Sequence, residues 1–298
     1  MVLPTRTLGL SASFPDRGAA RFRAMVRASS AMQTDGVAVG PARRWAWLGV
    51  LVGGALLFEI VRRVLVETQN PNLIPALILL GAGVAPAAFV AFVLGRRLPW
   101  DISTGAIAAV ALLGGLIGVV TAGLLEFKTL RDLGVLPMVF VGLIEETAKL
   151  IVPAVLLLTL RRFRQPADGL LVGVAAGAGF AALETMGYAF VTLIQSQGNV
   201  AAVQSILLLR GLLSPAAHMA WTGLTATALW YAANHGWKGG AVLRFVAVFV
   251  LAVALHTIWD SAGTIPVYIV LSLISLGLLT WFAHLLSRGT RMPAVLRT

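Results

Sequence analysis

The chain of 298 residues contains no cysteine. Disulfide bonds, thiol nucleophiles and metal sites built on thiolates are therefore excluded. Three common hydrolase motifs are absent as well, because the sequence has no H-E-x-x-H, no G-x-S-x-G and no Walker phosphate loop. None of these hydrolase motifs therefore competes with the carboxylates and histidines described below.

Charged side chains are scarce. They make up 12% of the residues, whereas hydrophobic residues make up 58% and the mean hydropathy is +0.89. Soluble domains carry about 25% charged residues, so the composition predicts an all-α polytopic membrane protein. The net charge of +11 suggests nucleic acid at first sight. Most lysines and arginines lie in short segments between apolar runs, which favours contact with lipid headgroups and no nucleic-acid partner.

Eight apolar runs approach the roughly 20 residues that a helix needs to cross a bilayer. The predicted spans are 45–66, 72–95, 104–125, 135–160, 168–194, 203–232, 242–263 and 265–286. Residues 1–44 are rich in arginine and are predicted to form a mostly disordered cytoplasmic tail, with an organelle transit peptide as the alternative. Residues 45–286 form the transmembrane domain, and residues 287–298 form a short basic tail.

The distribution of lysine and arginine predicts that both termini lie in the cytoplasm. In this orientation most basic residues fall on the inner side, including Arg96, Arg97 and the arginines of 161–164. Arg62 and Arg63 disagree with it, and we expect them to extend the first helix and reach the headgroups. The chain is thus expected to be a multi-pass protein of a cell membrane, most simply the bacterial cytoplasmic membrane.

The fourth span contains Glu145, Glu146 and Lys149. A charge at the centre of a spanning helix costs roughly 2.5 to 3.5 kcal/mol on insertion scales, so three charges in one span need an explanation. Lys149 is four residues after Glu145 and three after Glu146, and it can reach either carboxylate. The two glutamates point about 100° apart, which favours one as a general base and the other as support. A purely structural ion pair is the alternative.

The fifth span has a ridge of glycines at 169, 173 and 177, which lets another helix approach closely. Glu184 lies seven residues after Gly177, nearly two helical turns, and therefore on the same face. Glu184 is thus expected to face protein rather than lipid. The alternative to a functional role is a protonated glutamate that forms a hydrogen bond between helices.

Histidines follow in the next two spans. His218 comes after Ser214-Pro215, where the proline bends the helix and frees a carbonyl group. His256 and Asp260 are four residues apart and share a face, so the carboxylate can fix the imidazole tautomer or help it bind a metal. For His218, and for the pair of His256 and Asp260, the alternative to a functional role is a structural hydrogen bond. A short echo, His-x-x-Trp, occurs at 218–221 and 256–259 but does not establish a duplication.

These residues all fall in the middle to outer half of the predicted bilayer. Four carboxylates face Lys149 and, at most, Arg210. The alternatives for Arg210 are a pair with Glu126, a pair with Asp260, or a side chain that extends to the lipid headgroups. Uncompensated anions at such depth are expected to take up protons or to bind a cation. Both outcomes can serve hydrolysis, through a general acid and base or through a metal-bound water.

The ordered set Glu145-Glu146-x-x-Lys149, Phe180-x-x-x-Glu184, His218 and His256-x-x-x-Asp260 resembles the PrsW family of intramembrane proteases. These are relatives of the CAAX prenyl endopeptidases in a superfamily of glutamic proteases. The resemblance covers roughly residues 135–263, the expected catalytic core. Lys149 and Glu184 stand where the CAAX branch has arginine and histidine, and Asp260 stands where asparagine is common.

The resemblance implies an endopeptidase that cuts a membrane-anchored protein with a glutamate-activated water. In the family's best-known role the substrate is an anti-sigma factor, cut on its extracytoplasmic side. Glu145 is then the general base, supported by Glu146 and Lys149, with Glu184 as a second carboxylate, and the two histidines stabilise the tetrahedral intermediate. A conical helix-bundle cavity open to the outer side must admit water. The alternatives are a proton- or cation-coupled transporter and a non-catalytic scaffold.

This glutamate chemistry does not require a cofactor, and the spacing of the histidines also favours a metal-free mechanism. The histidines lack the tight paired spacing of dedicated zinc motifs. If the protein does use zinc, the expected ligands are His218 and His256 together with Glu184 or Asp260.

Overall fold

The computed structural model describes residues 41–96, 98–160 and 163–289, and these residues form helices and no strand. In this part of the chain the α-helices are α1 Pro41–Thr68, α2 Ile74–Leu94, α3 Thr104–Leu133, α4 Met138–Thr159, α5 Pro166–Gln195, α6 Val200–Leu213, α7 His218–Asn234, α8 Gly239–Ala262 and α9 Ile265–Gly289. Short 3₁₀ turns occur at Pro71–Leu73 and Ser214–Ala216. The polytopic all-α class predicted from composition is confirmed.

Six stretches of the described residues are long and apolar enough to cross a membrane: 71–94, 104–133, 166–195, 200–234, 239–262 and 265–287. Helices α1 and α4 are not among them, and α4 carries the three charges at positions 145, 146 and 149. The count of eight spans and the orientation therefore stay predictions. Arg62 and Arg63 do lie on the first helix, where both contact Glu59, at 2.6 and 2.7 Å.

Two predicted segments, the N-terminal tail and the span 203–232, look different in the structure. Helix α1 begins at Pro41, so the predicted tail ends earlier than residue 44, and residues 1–40 of that tail lie outside the described part. The predicted span 203–232 is two helices, because Pro215 lacks the N–H that would continue α6 and a 3₁₀ turn replaces the helix there. Most of the basic C-terminal tail also lies outside the described residues.

Helix α5 lies at the centre of the bundle. Within its apolar stretch 72% of the residues are buried, against 17% for α9. It packs against α2, α3, α4, α6, α7 and α9. Alanines and glycines fill its buried positions from 173 to 181 together with Val174 and Phe180, and their small side chains allow this close contact on several faces. Helices α4, α6 and α7, which carry polar residues singled out in the sequence, therefore all pack against α5.

The N-terminal end of α5 is fixed by a carboxylate. Asp168 is fully buried, and its oxygens accept hydrogen bonds from the backbone N–H groups of Asp101, Ile102 and Gln165, at 2.7, 3.0 and 3.0 Å. A carboxylate in the first turn of a helix also interacts favourably with the helix dipole. These bonds tie the loop before α3 to the start of α5 and hold the register of the central helix.

Candidate active site

Helix α4 places its three charges inside the bundle. Lys149 Nζ lies 2.8 Å from Oε1 of Glu146 and 3.1 Å from Oε2 of Glu145. The side chains of Lys149 and Glu146 are fully buried, and Glu145 is 9% exposed. One ammonium group therefore bridges both glutamates, as the spacing of three and four residues permits.

A close approach of α4 and α8 brings a histidine to this ion pair. A Cβ at Gly142 would lie 2.9 Å from Oγ1 of Thr257, so only glycine lets the two helices touch one turn from the glutamates. His256, next to Thr257, then reaches both carboxylates: Nδ1 is 2.9 Å from Oε1 of Glu146, and Nε2 is 3.5 Å from Oε2 of Glu145.

Asp260 lies one turn after His256 on α8. Its Oδ2 is 3.2 Å from Nε2 of His256, so the two side chains contact each other as their spacing predicts. The His256 ring thus has a carboxylate at each nitrogen, with Glu146 at Nδ1 and Asp260 together with Glu145 at Nε2. Carboxylate contacts of this kind fix the orientation of an imidazole.

The glycine ridge of α5 faces α7. A Cβ at Gly177 would lie 2.6 Å from the carbonyl oxygen of His218 and 2.9 Å from Cα of Met219, which shows how closely the two backbones pack. Glu184, on the same face of α5, has Oε2 3.1 Å from Nε2 of His218. The expectation that Glu184 faces protein agrees with its side chain being 16% exposed.

His218 is the first residue of α7, directly after the turn at Ser214–Ala216. Its Nδ1 lies 2.7 Å from Nζ of Lys149, so the ring connects α4 to α5. Because an ammonium group can only donate, Nδ1 accepts this hydrogen bond and Nε2 carries the proton that faces Glu184. The break that the proline introduces is what allows the ring to point into the cluster.

Aromatic side chains surround the two histidines. The rings of His218 and His256 are 5.3 Å apart in an edge-on arrangement, and Trp221 lies 5.0 Å from His256 and 5.9 Å from Trp259. The two His-x-x-Trp segments therefore meet histidine to histidine and tryptophan to tryptophan. The indole N–H of Trp221 donates to Ser275 of α9 at 2.9 Å, which fixes the ring beside the site.

The sequence left the partner of Arg210 open between Glu126, Asp260 and the lipid headgroups. In the structure Nη2 of Arg210 instead lies 2.8 Å from Oε1 of Glu184. Spacing along the sequence cannot pair residues on different helices. Glu126 has its Oε1 buried without a hydrogen-bond partner among the described residues.

The seven residues singled out in the sequence thus form one connected cluster. Contacts run from Glu184 to His218, then to Lys149, then to the two glutamates of α4, and from there through His256 to Asp260. Within the described residues Oε2 of Glu145 has no hydrogen bond of good geometry, although Lys149 and His256 are within 3.5 Å. A buried oxygen of this kind is suited to hold a water, a proton or a cation.

The sequence model of the PrsW family intramembrane metalloproteases matches residues 76–286. The chain belongs to the PrsW family. It therefore carries the domain of an intramembrane protease, which favours hydrolysis over transport. The chain has no significant match among curated proteins or solved structures.

Three side chains of this cluster offer donor atoms to a metal ion. One carboxylate oxygen of Glu145 and one ring nitrogen each of His218 and His256 lie within 4.8 Å of one another. One carboxylate and two imidazoles form a donor set that catalytic zinc uses, and the unpartnered oxygen of Glu145 fits such a role. The triad is compatible with zinc. It differs from the set expected from the sequence, because Glu184 and Asp260 contact the imidazoles rather than completing the triad.

Exposure is lowest in the middle of the cluster and highest at its two ends. The side chains of Lys149 and Glu146 are fully buried, Glu184 is 16% exposed and Asp260 is 26% exposed. Two apolar crevices of about 300 and 500 Å³ lie elsewhere, beside Trp47 and along α9, and contain none of the cluster residues. The cavity open to the outer side therefore stays a prediction, and the Asp260 end of the cluster is where water is nearest.

Proposed function

We propose that this protein is an endopeptidase of the membrane that hydrolyses a peptide bond in a membrane-anchored protein, with the attacking water activated at Glu145. The observation that carries the proposal is the meeting of side chains from α4, α5, α7 and α8 in one cluster that contains Oε2 of Glu145. That oxygen is buried, lacks a hydrogen bond of good geometry and lies within 3.5 Å of Lys149 and His256.

Glu145 acts as the general base. It takes a proton from the water while the water oxygen attacks the carbonyl carbon, and the proton then passes to the leaving nitrogen as the C–N bond breaks. Lys149, at 3.1 Å, holds the carboxylate in its ionised form and orients it. Glu146 accepts from both Lys149 and His256 and fixes their positions.

The two imidazoles are assigned to the developing oxyanion. His218 carries its proton on Nε2, at the edge of the cluster toward Glu184. Because Nδ1 of His256 donates to Glu146, its Nε2 can also donate only when the ring is protonated, a form that the carboxylates of Glu145 and Asp260 beside Nε2 favour. Hydrogen-bond donors fixed before the reaction stabilise such an oxyanion without reorganisation. Glu184 and Asp260 orient the two rings.

A divalent ion such as zinc fits the same cluster. Glu145, His218 and His256 would hold it, and it would polarise a water and favour its ionisation. The family description and this donor set favour metal dependence over the metal-free mechanism expected from the sequence. With the ion bound, Glu145 would serve as a ligand rather than as the free general base, and each imidazole would bind through a ring nitrogen that carries no proton. Lys149, Glu146, Glu184 and Asp260 would keep their positioning roles.

The substrate is proposed to be a membrane protein whose cleaved segment enters from the outer face. The exposure of Asp260, near the end of α8, is the highest in the cluster and supports entry from that side. The lysine and arginine distribution assigns this end to the outer face of a bacterial cytoplasmic membrane. An anti-sigma factor with a single span is the substrate class that the family resemblance implies.

The test is cleavage of candidate single-span substrates by the full chain in proteoliposomes. Glu145→Gln keeps the shape of the side chain but cannot take up the proton, so we expect cleavage to fall by about 10²- to 10⁴-fold. Glu59→Gln is the matched control, because Glu59 also pairs with two cations but lies on α1.

Equal turnover by Glu145→Gln and wild type would move the base to another carboxylate. Absence of cleavage by the wild-type chain, tested over substrates with varied extracytoplasmic segments, would instead support the scaffold.

A further inference from the structure

Arg210 makes two contacts with the same face of α5. Its Nη2 forms an ion pair with Oε1 of Glu184 at 2.8 Å, and its guanidinium group lies 3.9 Å from the ring centre of Tyr188. Glu184 and Tyr188 are four residues apart, so one turn of α5 holds both the charge and the flat face of the guanidinium. This arrangement fixes the guanidinium in one orientation.

Glu184 connects Arg210 to His218. Its two oxygens serve different partners, because Oε1 contacts Arg210 and Oε2 lies 3.1 Å from Nε2 of His218. Lys149 donates to the other ring nitrogen at 2.7 Å. The His218 ring is therefore held at both nitrogens, by a donor on one side and an anion on the other.

The backbone alone holds His218 weakly. It is the first residue of α7, and the preceding Ala217 has φ −112° and ψ −107°, outside helical geometry. Only the short 3₁₀ turn at Ser214–Ala216 comes just before His218, with no α-helical turn between them. Arg210 lies eight residues earlier, on the other side of the turn, and ties α6 to α5. The ion pair thus holds both the carboxylate that contacts the ring and the helix that leads to it.

We propose that Arg210 is a positioning residue for peptide hydrolysis: by fixing Glu184 it fixes the ring and the Nε2 proton of His218. This inference rests on the proposed function, since the reaction it serves is the one proposed above. Arg210 acts through Glu184 and is not itself placed against the reacting atoms.

Kinetics separate this role from a contact with substrate. Replacing a residue that orients a site side chain typically lowers activity by about 10- to 100-fold, so we expect Arg210→Met to lower kcat by this factor and to leave KM unchanged. Arg210→Lys should recover part of kcat, because it keeps the charge but loses the planar contact with Tyr188. Arg62→Met is the matched control, since Arg62 also pairs with a glutamate, at 2.6 Å, but on α1.

A double-mutant cycle tests the route through Glu184. If Arg210 acts only through that carboxylate, adding Arg210→Met to Glu184→Gln should change kcat far less than it does in the wild-type chain. Additive losses, or a raised KM with kcat unchanged, would overturn the inference. So would a kcat for Arg210→Met that matches Arg62→Met at equal amounts of folded protein.

A readout that does not depend on activity keeps the two proposals distinguishable. In protein labelled with ¹⁵N-histidine, the Nε2–H signal of His218, assigned by its loss in His218→Asn, should be sharp in the wild type and in Arg62→Met. We expect Arg210→Met to broaden or remove it. An unchanged signal in Arg210→Met overturns the inference. A wild-type chain that cleaves no substrate would count against the proposed function, while the signal would still decide the role of Arg210.

Discussion

Nζ of Lys149 lies 2.7 Å from Nδ1 of His218, a residue 69 positions later in the chain. The same ammonium group contacts both glutamates of α4 and lies 4.4 Å from the ring centre of Phe180. The ammonium group thus contacts three polar side chains inside the protein. Lys149 is the central cation of the site, and the ring tautomer of His218 depends on it.

Lys149→Met is expected to destabilise the fold as well as abolish activity. Removing one partner of a buried ion pair leaves an uncompensated charge and costs about 3–5 kcal/mol in the free energy of unfolding. Thermal unfolding in detergent measures the loss. The double variant Lys149→Met/Glu146→Gln should recover part of it, because one of the two stranded carboxylates is then neutral. Equal melting temperatures for Lys149→Met and the exposed-pair control Arg63→Met would contradict this prediction.

Gly177→Ala is expected to separate α5 from α7. The added Cβ would lie 2.6 Å from the carbonyl oxygen of His218, so the backbones must shift. Because Glu184 and His218 meet across this contact, a small displacement should lower cleavage strongly. Gly53→Ala is the control, since a Cβ there meets no atom within 4 Å. Cleavage by Gly177→Ala at the rate of Gly53→Ala would show that the contact tolerates a methyl group.

The Glu145, His218 and His256 triad is expected to retain zinc through purification. Elemental analysis should find roughly one zinc per chain, since one carboxylate and two imidazoles suffice for a catalytic site. The zinc content should fall in His256→Asn and remain in His284→Asn, because His284 lies on α9 away from the triad. A zinc-free wild-type chain that cleaves its substrate in the presence of a chelator would restore the metal-free mechanism.

The orientation is expected to place residues near Arg164 and Thr298 in the cytoplasm and Asn199 outside. The reason is the excess of lysine and arginine in the segments assigned to the inner side. Reporter fusions at these three positions measure it. A reporter at Thr298 that reads outside would contradict the prediction of eight spans with both termini inside.

Most residues of the site could be predicted from the sequence, because charges in apolar helices are costly and therefore stand out. Glu145, Glu146, Lys149 and Glu184 stand out in runs that otherwise contain few charges, and helical spacing predicted which of them share a face. Local pairs such as His256 with Asp260 follow from that spacing alone. The composition predicted a polytopic membrane protein for the same reason, since a chain that crosses hydrocarbon can contain few charges.

Contacts between helices needed the tertiary structure. The bond from Lys149 to His218, the pairing of Arg210 with Glu184 and the choice of Glu145 as third member of the triad depend on how α4, α5, α6, α7 and α8 are placed around one another. Spacing within a helix fixes the direction of a side chain but not its neighbour on another helix. The chain by itself therefore determined the class of protein and its polar residues. The packing of small residues along α5 decided which of them meet, because only close backbone approach brings side chains of separate helices within hydrogen-bond distance.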